Sequence, residues 1–201
     1  AARMAEVRAA LEAATAEAAA RVARIDGGDV ILDAGGLRAL PAEIARRLVL
    51  AALRWIASAE YGPRRAEVER FVAALVAERP VTLGGVRATA ARGRLRLLRE
   101  LRAVAGAEVP LGAVWDGRWQ VIGPESGAET NGLTLRALGE AGLAACPEWR
   151  AVAVPRLTLV AAPAVWRGAD LVAAPVAGFG AGWRAVCAPP QGVLAAAPLS
   201  H

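Results

Sequence analysis

Apolar residues recur at three- and four-residue intervals over the first 80 positions, which predicts three α-helices. The first helix covers residues 3–25 and is ended by Asp26-Gly27-Gly28. A short strand at residues 30–32 and a turn at Gly35-Gly36 follow it. The second helix covers about 40–59 and the third about 63–78. The first helix has one narrow apolar stripe, formed by Met4, Val7, Leu11, Ala14, Ala18, Val22 and Ile25.

From residue 81 the period of the pattern changes from 3.6 to 2, which indicates β-strands. Residues 81–83 form a strand that leads into Gly84-Gly85, a predicted bulge or kink. Residues 86–89 and 94–97 alternate about a turn at 91–94, which predicts a hairpin with one apolar face and one arginine face. We expect Arg87, Arg94 and Arg96 to share the solvent side, with Arg92 at the tip.

Beyond residue 102, short apolar runs alternate with Pro and Gly turns. Residues 115–119 form a predicted tight hairpin because Asp116-Gly117 suits a turn with positive φ. A polar loop is predicted at 123–132, and the Ala- and Pro-rich segment after Pro189 is expected to fray. Four further segments fit either strands or short helices, namely 134–138, 156–160, 171–174 and 183–187.

These elements predict an α+β fold in three segments. Residues 1–36 form a connector helix and a short strand, and residues 37–101 form a domain of helices and a hairpin. Residues 102–201 form a small α+β domain with a frayed tail. The connector helix is expected to lean away from the body.

Positive charge is concentrated in one part of the chain. All 24 basic residues are arginine, so every cation is a planar fork that stays protonated and pairs bidentately with phosphate. Residues 79–102 contain seven arginines and one acid, Glu100, which gives this block a net charge of +6. Such a block indicates a surface for a polyanion.

Residues for common catalytic chemistry are scarce. The one histidine is His201 at the end of the chain, no serine lies in a GxSxG elbow, and a P-loop is impossible without lysine. No metal-binding cluster occurs, and Cys146 and Cys187 are expected to be free thiols in a reducing cytoplasm. No apolar run is long enough to span a membrane, and no signal peptide is expected. The chain alone is predicted to be inactive.

Five tracts, in order over residues 40–175, resemble the tRNA(Ile)-lysidine synthetases. LPAEIARRL at 40–48 resembles the helix after that family's catalytic domain, and YGPRR at 61–65 resembles its Tyr-Pro-Pro-Arg helix start. TLGGV at 82–86, closing with LLRE at 97–100, is similar to its hairpin. WDGR at 115–118 and AAPAVWR at 161–167 resemble tracts of alphaproteobacterial members. Gly62, Val86 and Ala162 depart from the family pattern.

The resemblance implies the non-catalytic, C-terminal, tRNA-binding part of a cytoplasmic carbon–nitrogen ligase. That family uses ATP to adenylate the wobble cytidine of an isoleucine tRNA anticodon and then attaches lysine. Its Ser-Gly-Gly-x-Asp-Ser loop is absent, so ATP and Mg²⁺ are expected in an N-terminal catalytic domain outside this sequence, with no cofactor or metal here. The tRNA-contact candidates are the arginines of the hairpin and the helices: Arg46, Arg47, Arg64, Arg65, Arg87, Arg92, Arg94, Arg96 and Arg99.

Several features have a second interpretation. The arginine hairpin also fits a sheet edge that charge protects from aggregation. Trp115 and Trp119 fit core packing better than base stacking, and the stripe of the first helix fits docking to a partner domain better than a coiled coil. Arg64 and Arg65 oppose the dipole of their own helix, which an external anion would relieve. The alternative function is a structural or protein-interaction module without an RNA role.

Overall fold

The first helix ends three residues earlier than its apolar stripe predicts. In the computed structural model, which describes residues 2–124 and 131–199, α1 spans Ala2–Val22 and β1 follows at once as Ala23–Asp26. In β1 the burial alternates with a period of two, which is the pattern of a half-buried strand. The glycines at 27 and 28, with φ of 59° and 83°, therefore close a hairpin between β1 and β2 (Asp29–Asp33) and do not end a helix.

Only the second half of α1 packs against the body. Thr15, Ala18 and Ala19 are buried, whereas Met4 and Val7 are 72% and 47% exposed. The predicted stripe is therefore wrong for the first two turns. Small alanine and threonine side chains allow a close approach where the helix does pack, and these residues carry little apolar signal in a sequence.

The three helices that follow form the layer that covers the sheet. Asp33 caps α2 (Ala34–Ala39) by accepting a hydrogen bond from the backbone N–H of Gly36, so the glycine pair at 35–36 lies within a helix and not in a turn. The second and third helices predicted from the sequence are confirmed as α3 (Ala42–Ala57) and α4 (Arg65–Val76). Most of their buried residues belong to one core cluster with the sheet.

A five-stranded sheet completes this part of the fold. β3 (Val81–Leu83), β4 (Val86–Ala91) and β5 (Arg94–Arg99) join the first two strands in the order β1-β2-β5-β4-β3. The glycines at 84 and 85 form the turn between β3 and β4, so the predicted bulge is wrong. The predicted turn at Arg92-Gly93 is confirmed, with φ of 52° and 72° at the two residues.

The described part of the C-terminal segment, up to residue 199, packs against α1 and α3. A 3-10 helix at Gly192–Ala196 contacts α1 and α3, and Leu194 and Ala197 are buried. The backbone N–H of Ile25 donates to the carbonyl of Pro198 at 2.8 Å. The prediction of a frayed tail is wrong because these few apolar residues have a partner surface that lies about 170 positions earlier in the chain.

Residues beyond 98 form short helices and two small sheets. The elements are α5 (Leu101–Val104), β6 (Glu108–Pro110), β7 (Trp119–Ile122), β8 (Leu133–Ala137), α6 (Gly139–Ala144), α7 (Arg156–Val160), β9 (Pro163–Arg167), β10 (Asp170–Ala173) and β11 (Arg184–Cys187). The four-stranded sheet has the order β10-β9-β8-β6, and β11 pairs with β7 in the other sheet. Of the four segments that fit either strands or short helices in the sequence, one is a helix and three overlap strands.

The core of this region contains the tryptophan pair. Trp115 and Trp119 are 0% and 5% exposed, and the indole N–H of Trp115 donates to the carbonyl of Ala107 at 3.0 Å. The interpretation as core residues is confirmed, as is the tight turn between them, in which Asp116 and Gly117 have positive φ. Most of the predicted polar loop at 123–132 lies outside the described residues.

The elements group into two compact units and not into the three predicted segments. Unit 1 comprises residues 1–98 and 189–201, and unit 2 comprises residues 99–188. Residues 1–36 supply a helix and two strands of unit 1, so they are not a separate connector. The predicted α+β fold class is confirmed, since helices and largely antiparallel sheets occur in both units.

Candidate nucleic-acid interface

The net positive charge of the chain resides in unit 1. Unit 1 carries 16 arginines and 11 carboxylates, a net charge of +5, whereas unit 2 carries eight of each. Eight of the nine candidate arginines lie in unit 1, and Arg99 lies in unit 2. Any surface that attracts a polyanion through net charge is therefore expected on unit 1.

Helices α3 and α4 bring three candidates together around one carboxylate. Arg46 donates to both oxygens of Glu43, at 2.9 and 2.7 Å, and Arg47 donates to the same carboxylate at 2.8 Å. Arg65, in the first turn of α4, lies 3.7 Å from Glu43 and pairs with Glu69 at 2.7 Å. The three arginines and two carboxylates leave this cluster with one excess positive charge.

The arginines change the acidity of Glu43. The hydrogen bond from Arg46 is the largest cause, and Arg47 adds to it against the opposing effect of burial, so that the pKa of Glu43 falls to about 2. The pKa of Arg46 is raised, chiefly by the same hydrogen bond. Glu43 therefore stays ionised at neutral pH and holds two arginines side by side on α3.

Carboxylates within α4 pair with the polar and charged groups at the N-terminus of this helix. The backbone N–H of Arg64 donates to Glu67 at 2.8 Å, and Arg65 is held by Glu69 one turn further along the helix. Internal carboxylates thus offset the unfavourable position of two arginines near a helix N-terminus. An external anion is not needed there, contrary to the expectation from the sequence.

The hairpin presents three of its arginines to solvent. Arg87 lies on β4 opposite Thr82, Arg92 occupies the turn, and Arg94 begins β5; all three are exposed. Their guanidinium groups are available for contact with an external anion. This agrees with the predicted arginine face of the hairpin at these positions.

Arg96 differs from its neighbours because two carboxylates enclose it. It donates to Asp29 at 2.7 Å and to Asp26 at 2.6 Å, and its side chain is 17% exposed. Burial opposes the charge, but the two ion pairs outweigh that effect and raise the pKa of Arg96. The expectation that Arg96 faces solvent like Arg94 is wrong, since the hairpin of β1 and β2 brings Asp26 and Asp29 to it and the sequence pattern predicts no such hairpin.

Arg99 is separated from the other candidates by its pairing in unit 2. Its guanidinium donates to both oxygens of Asp116 at 3.0–3.2 Å, and the two side chains are 13% and 7% exposed. Arg118, 4% exposed, lies beside the same carboxylate at 3.9 Å. This arrangement gives Arg99 a structural role, contrary to its grouping with the exposed hairpin arginines.

Two arginines outside the candidate set line a cavity on the sheet. Arg21 and Arg24 border this cavity together with Arg94 and Asp33. The sequence pattern does not identify these two arginines, because it predicts a single helix over residues 3–25. The alternation of Ala23 and Ile25 with Arg24 and Asp26 is the period-2 signal that identifies β1 and places Arg24 on the face that carries Arg94.

Other kinds of site are not evident in the described ranges, 2–124 and 131–199. These residues include no group of three His, Cys, Asp or Glu side chains that could hold a metal ion. No helix among them is long and apolar enough to cross a membrane. Cys146 and Cys187 form no disulfide, as predicted; Cys146 is buried, and burial raises its pKa.

Fold and charge define a two-unit α+β protein with exposed arginines concentrated on its first unit. The chain is 48% identical over all of its 201 residues to a tRNA(Ile)-lysidine synthase from Ruegeria pomeroyi. This similarity confirms the resemblance to the tRNA(Ile)-lysidine synthetases and extends it beyond residues 40–175 to the whole chain. The chain spans 47% of the length of that relative, and no family model matches it.

Proposed function

We propose that this chain binds and positions an isoleucine tRNA within an ATP-dependent ligase that attaches lysine to the wobble cytidine of the anticodon. The observation that carries the proposal is the 48% identity along the entire chain with a tRNA(Ile)-lysidine synthase. The alternative, a structural module with no RNA role, is not favoured by that similarity. The N-terminal catalytic domain of the same protein and the tRNA are the proposed partners.

The distribution of charge supports unit 1 as the tRNA-binding part. Its net charge of +5 includes the exposed forks of Arg87, Arg92 and Arg94, and such forks suit phosphate oxygens. Arg46, Arg47 and Arg65 form a second positive group on the same unit. Backbone contacts of this kind position a nucleic acid without reading its sequence.

The chemical step is proposed to occur outside this chain. The sequence has no Ser-Gly-Gly-x-Asp-Ser loop and no lysine, and its one histidine is His201. ATP and Mg²⁺ are therefore expected to bind elsewhere in the whole enzyme. The chain alone, incubated with ATP, lysine and tRNA, should form no lysidine.

The direct test is the binding of an isoleucine tRNA transcript to the chain as a function of salt. Phosphate contacts by the three exposed hairpin arginines should give a log–log slope of roughly −2 to −3, at about 0.7–0.9 per phosphate. The double variant Arg87→Gln/Arg92→Gln should reduce the slope by about 1.4–1.8. Its matched control, Arg167→Gln/Arg184→Gln, removes two exposed charges from unit 2 and should leave the slope unchanged.

A chimaera tests the role in the whole enzyme. This chain would replace the segment of the Ruegeria pomeroyi protein with which it aligns, and lysidine formation would be measured. The chimaera is expected to be active and to lose activity with Arg87→Gln/Arg92→Gln through a higher KM for tRNA. Absence of tRNA binding by the chain, together with an unaltered KM in the variant chimaera, would refute the proposal.

A further inference from the structure

A cavity of about 330 Å³ lies in unit 1 between the end of α3, the start of α4 and the turn from β3 to β4. This volume falls within the range of about 300–1,000 Å³ that is usual for small-molecule sites. The apolar walls are formed by Leu53, Ala57, Ala59, Pro63 and Leu83. Two glycines and three polar residues complete the lining, and the polar residues are Arg54, Tyr61 and Glu67.

Tyr61 leaves an aromatic ring uncovered at this cavity. It is the one tyrosine of the chain and is 82% exposed, whereas Phe71 and Trp115 are 1% and 0% exposed. Aromatic side chains bury a large apolar area when they pack in a core. Because Tyr61 contributes little of that burial, core packing does not explain its place beside apolar walls.

The segment that carries Tyr61 is fixed to α3 on both sides of this residue. Before it, the guanidinium of Arg54 donates to the carbonyl of Glu60 at 2.8 Å. After it, Gly62 approaches α3 so closely that a Cβ there would lie 2.6 Å from Cδ1 of Leu50. The helix therefore sets the backbone position of Tyr61, which lowers the entropic cost of placing a ligand against its ring.

The cavity also offers hydrogen-bond donors and acceptors. Arg54 uses one of its five N–H groups on Glu60, and one oxygen of Glu67 accepts the backbone N–H of Arg64 at 2.8 Å. A guanidinium and a carboxylate have further donors and acceptors beyond these single bonds. A ligand that suits this lining has flat apolar faces and a polar rim.

Exposed arginines follow the cavity-lining residues in the chain and across the sheet. Arg64 comes directly after Pro63, and Arg87 lies opposite Thr82, which precedes Leu83. A nucleotide in RNA has a flat base with a polar rim and a phosphate on each side, so it matches both the lining and the charge around it. In a duplex, stacking and pairing cover the faces and the rim, so only an unpaired base fits.

We propose that this cavity binds one unpaired nucleobase of an RNA, with the ring of Tyr61 stacked on the base and with Arg54 and Glu67 bonded to its rim. The inference rests on the proposed tRNA-binding function. It adds a base contact on unit 1 to the phosphate contacts proposed for the exposed arginines of the hairpin.

The first test measures binding of an isoleucine tRNA transcript by Tyr61 variants of the full chain over a range of salt. Tyr61→Ala should weaken binding by about 5- to 140-fold, the loss expected for one base stacked on an aromatic ring. The log–log slope should not change, because stacking releases no counterions, whereas Arg87→Gln/Arg92→Gln should lower the slope. Tyr61→Phe keeps the ring and should bind within a few-fold of the parent.

The matched control is Met4→Ala, which removes another exposed apolar side chain from unit 1 and should bind like the parent. Both alanine variants should keep the melting temperature of the parent, because both side chains are exposed. A Tyr61→Ala variant that binds tRNA like Met4→Ala would overturn the base site.

The solitary tyrosine also permits a direct measurement of the contact. Incorporation of fluorotyrosine places the fluorine label at Tyr61 alone. Its fluorine NMR resonance should shift when hexa-adenylate is added, and a blunt-ended RNA duplex with the same number of phosphates should leave it in place. An equal shift with the duplex would show a general effect of RNA charge and would overturn the assignment to an unpaired base.

Failure of this inference can be distinguished from failure of the function on which it rests. If the parent binds tRNA and the Tyr61 variants match their control, the base site fails while the tRNA-binding proposal stands. If the parent binds no tRNA, both fail. If the chain self-associates in sedimentation velocity and Tyr61→Ala makes it monomeric with unchanged affinity for tRNA, the cavity is a contact between copies of the chain and the inference is overturned.

Discussion

Arg94 and Arg96 lie two positions apart on one strand and on the same face of the sheet, yet their surroundings differ. Arg94 is exposed and borders a cavity on the sheet, whereas Arg96 is enclosed by Asp26 and Asp29. Exposed charges contribute to the attraction of a polyanion, and enclosed pairs contribute to specificity of packing. The role of an arginine in this unit is therefore decided by its nearest carboxylates.

Replacement of Arg96 by alanine is expected to destabilise unit 1 by about 3 kcal/mol, because it leaves Asp29, 3% exposed, without its cation. Arg94→Ala is the matched control and should change the free energy of unfolding by less than about 0.5 kcal/mol. Urea unfolding followed by far-UV circular dichroism measures both. Adding Asp29→Asn to Arg96→Ala should restore part of the loss; equal stability of the two single variants would contradict the enclosed-pair interpretation.

The acidity of Glu43 gives the α3–α4 cluster a defined pH dependence. Its pKa is about 2 in the folded protein and 4.5 in the absence of partners, so the unfolded chain binds a proton first as pH falls. The stabilisation from Glu43 is present above about pH 4.5 and is lost progressively towards pH 2. The difference in unfolding free energy between the parent and Glu43→Gln should shrink across this window, whereas a constant difference from pH 5 to pH 2 would show that the ion pairs contribute nothing.

At the scale of elements, α1 combines a packed half with an exposed half. The packed half meets α3 and the C-terminal 3-10 helix through small side chains, and Ala19 is fully buried there. The first two turns expose Met4 and Val7. Stability of α1 within unit 1 therefore depends on close approach at a few positions and not on a continuous apolar stripe.

Substitution of adjacent alanines in α1 separates these two environments. Ala19→Leu should destabilise unit 1 by about 1–3 kcal/mol, because a larger side chain has no room in a packed interface. Ala20→Leu, one position along and exposed, should have little effect. Thermal unfolding of the two variants provides the measurement, and a similar melting temperature for both would mean that α1 does not pack as described.

At the scale of the whole molecule, unit 2 is inserted in the sequence between the two parts of unit 1. Both ends of unit 2 contact the tight turn between Trp115 and Trp119. Arg99 binds Asp116 of that turn, and the backbone N–H of Ala188 donates to the carbonyl of Arg118 at 2.6 Å. Unit 2 has its own core, which includes Trp115 and Trp119. Short separation of the ends and an independent core are the properties of a domain that folds alone.

Residues 99–188, expressed alone, should unfold cooperatively in urea with a change in tryptophan fluorescence, since unit 2 holds five of the six tryptophans. Unit 1, with residues 99–188 replaced by a short Gly-Ser linker, should keep its circular dichroism signal and its tRNA binding. Asp116→Ala in the isolated unit should cost about 3–5 kcal/mol because it leaves Arg99 and Arg118 without their shared carboxylate. Aggregation of both pieces under all conditions would argue against two independent units.

The sequence by itself determined the local elements with strong periodicity. Helices α3 and α4, the hairpin of β4 and β5, and the turn at Asp116-Gly117 follow from repeat length and turn chemistry, which depend on neighbours in the chain. The five ordered tracts also sufficed for the resemblance that the whole-chain similarity confirms. Of the hairpin arginines, Arg87, Arg92 and Arg94 are exposed as the alternation predicts, and their role as tRNA contacts stays a prediction.

Only the tertiary structure decided which distant segments meet. The residues near Arg96 in the sequence do not indicate that it pairs with Asp26 and Asp29. These two acids come from a hairpin about 70 positions earlier. The 3-10 helix at Gly192–Ala196 packs for the same reason, since Leu194 is buried in the core that α3 shares and the helix contacts α1 and α3. The cavity lined by Arg24 and Arg94 likewise exists because β2 pairs with β1 on one side and β5 on the other. The periodicity of a sequence shows which face of an element is apolar. Which segment packs against that face depends on how distant parts of the chain pair in the fold.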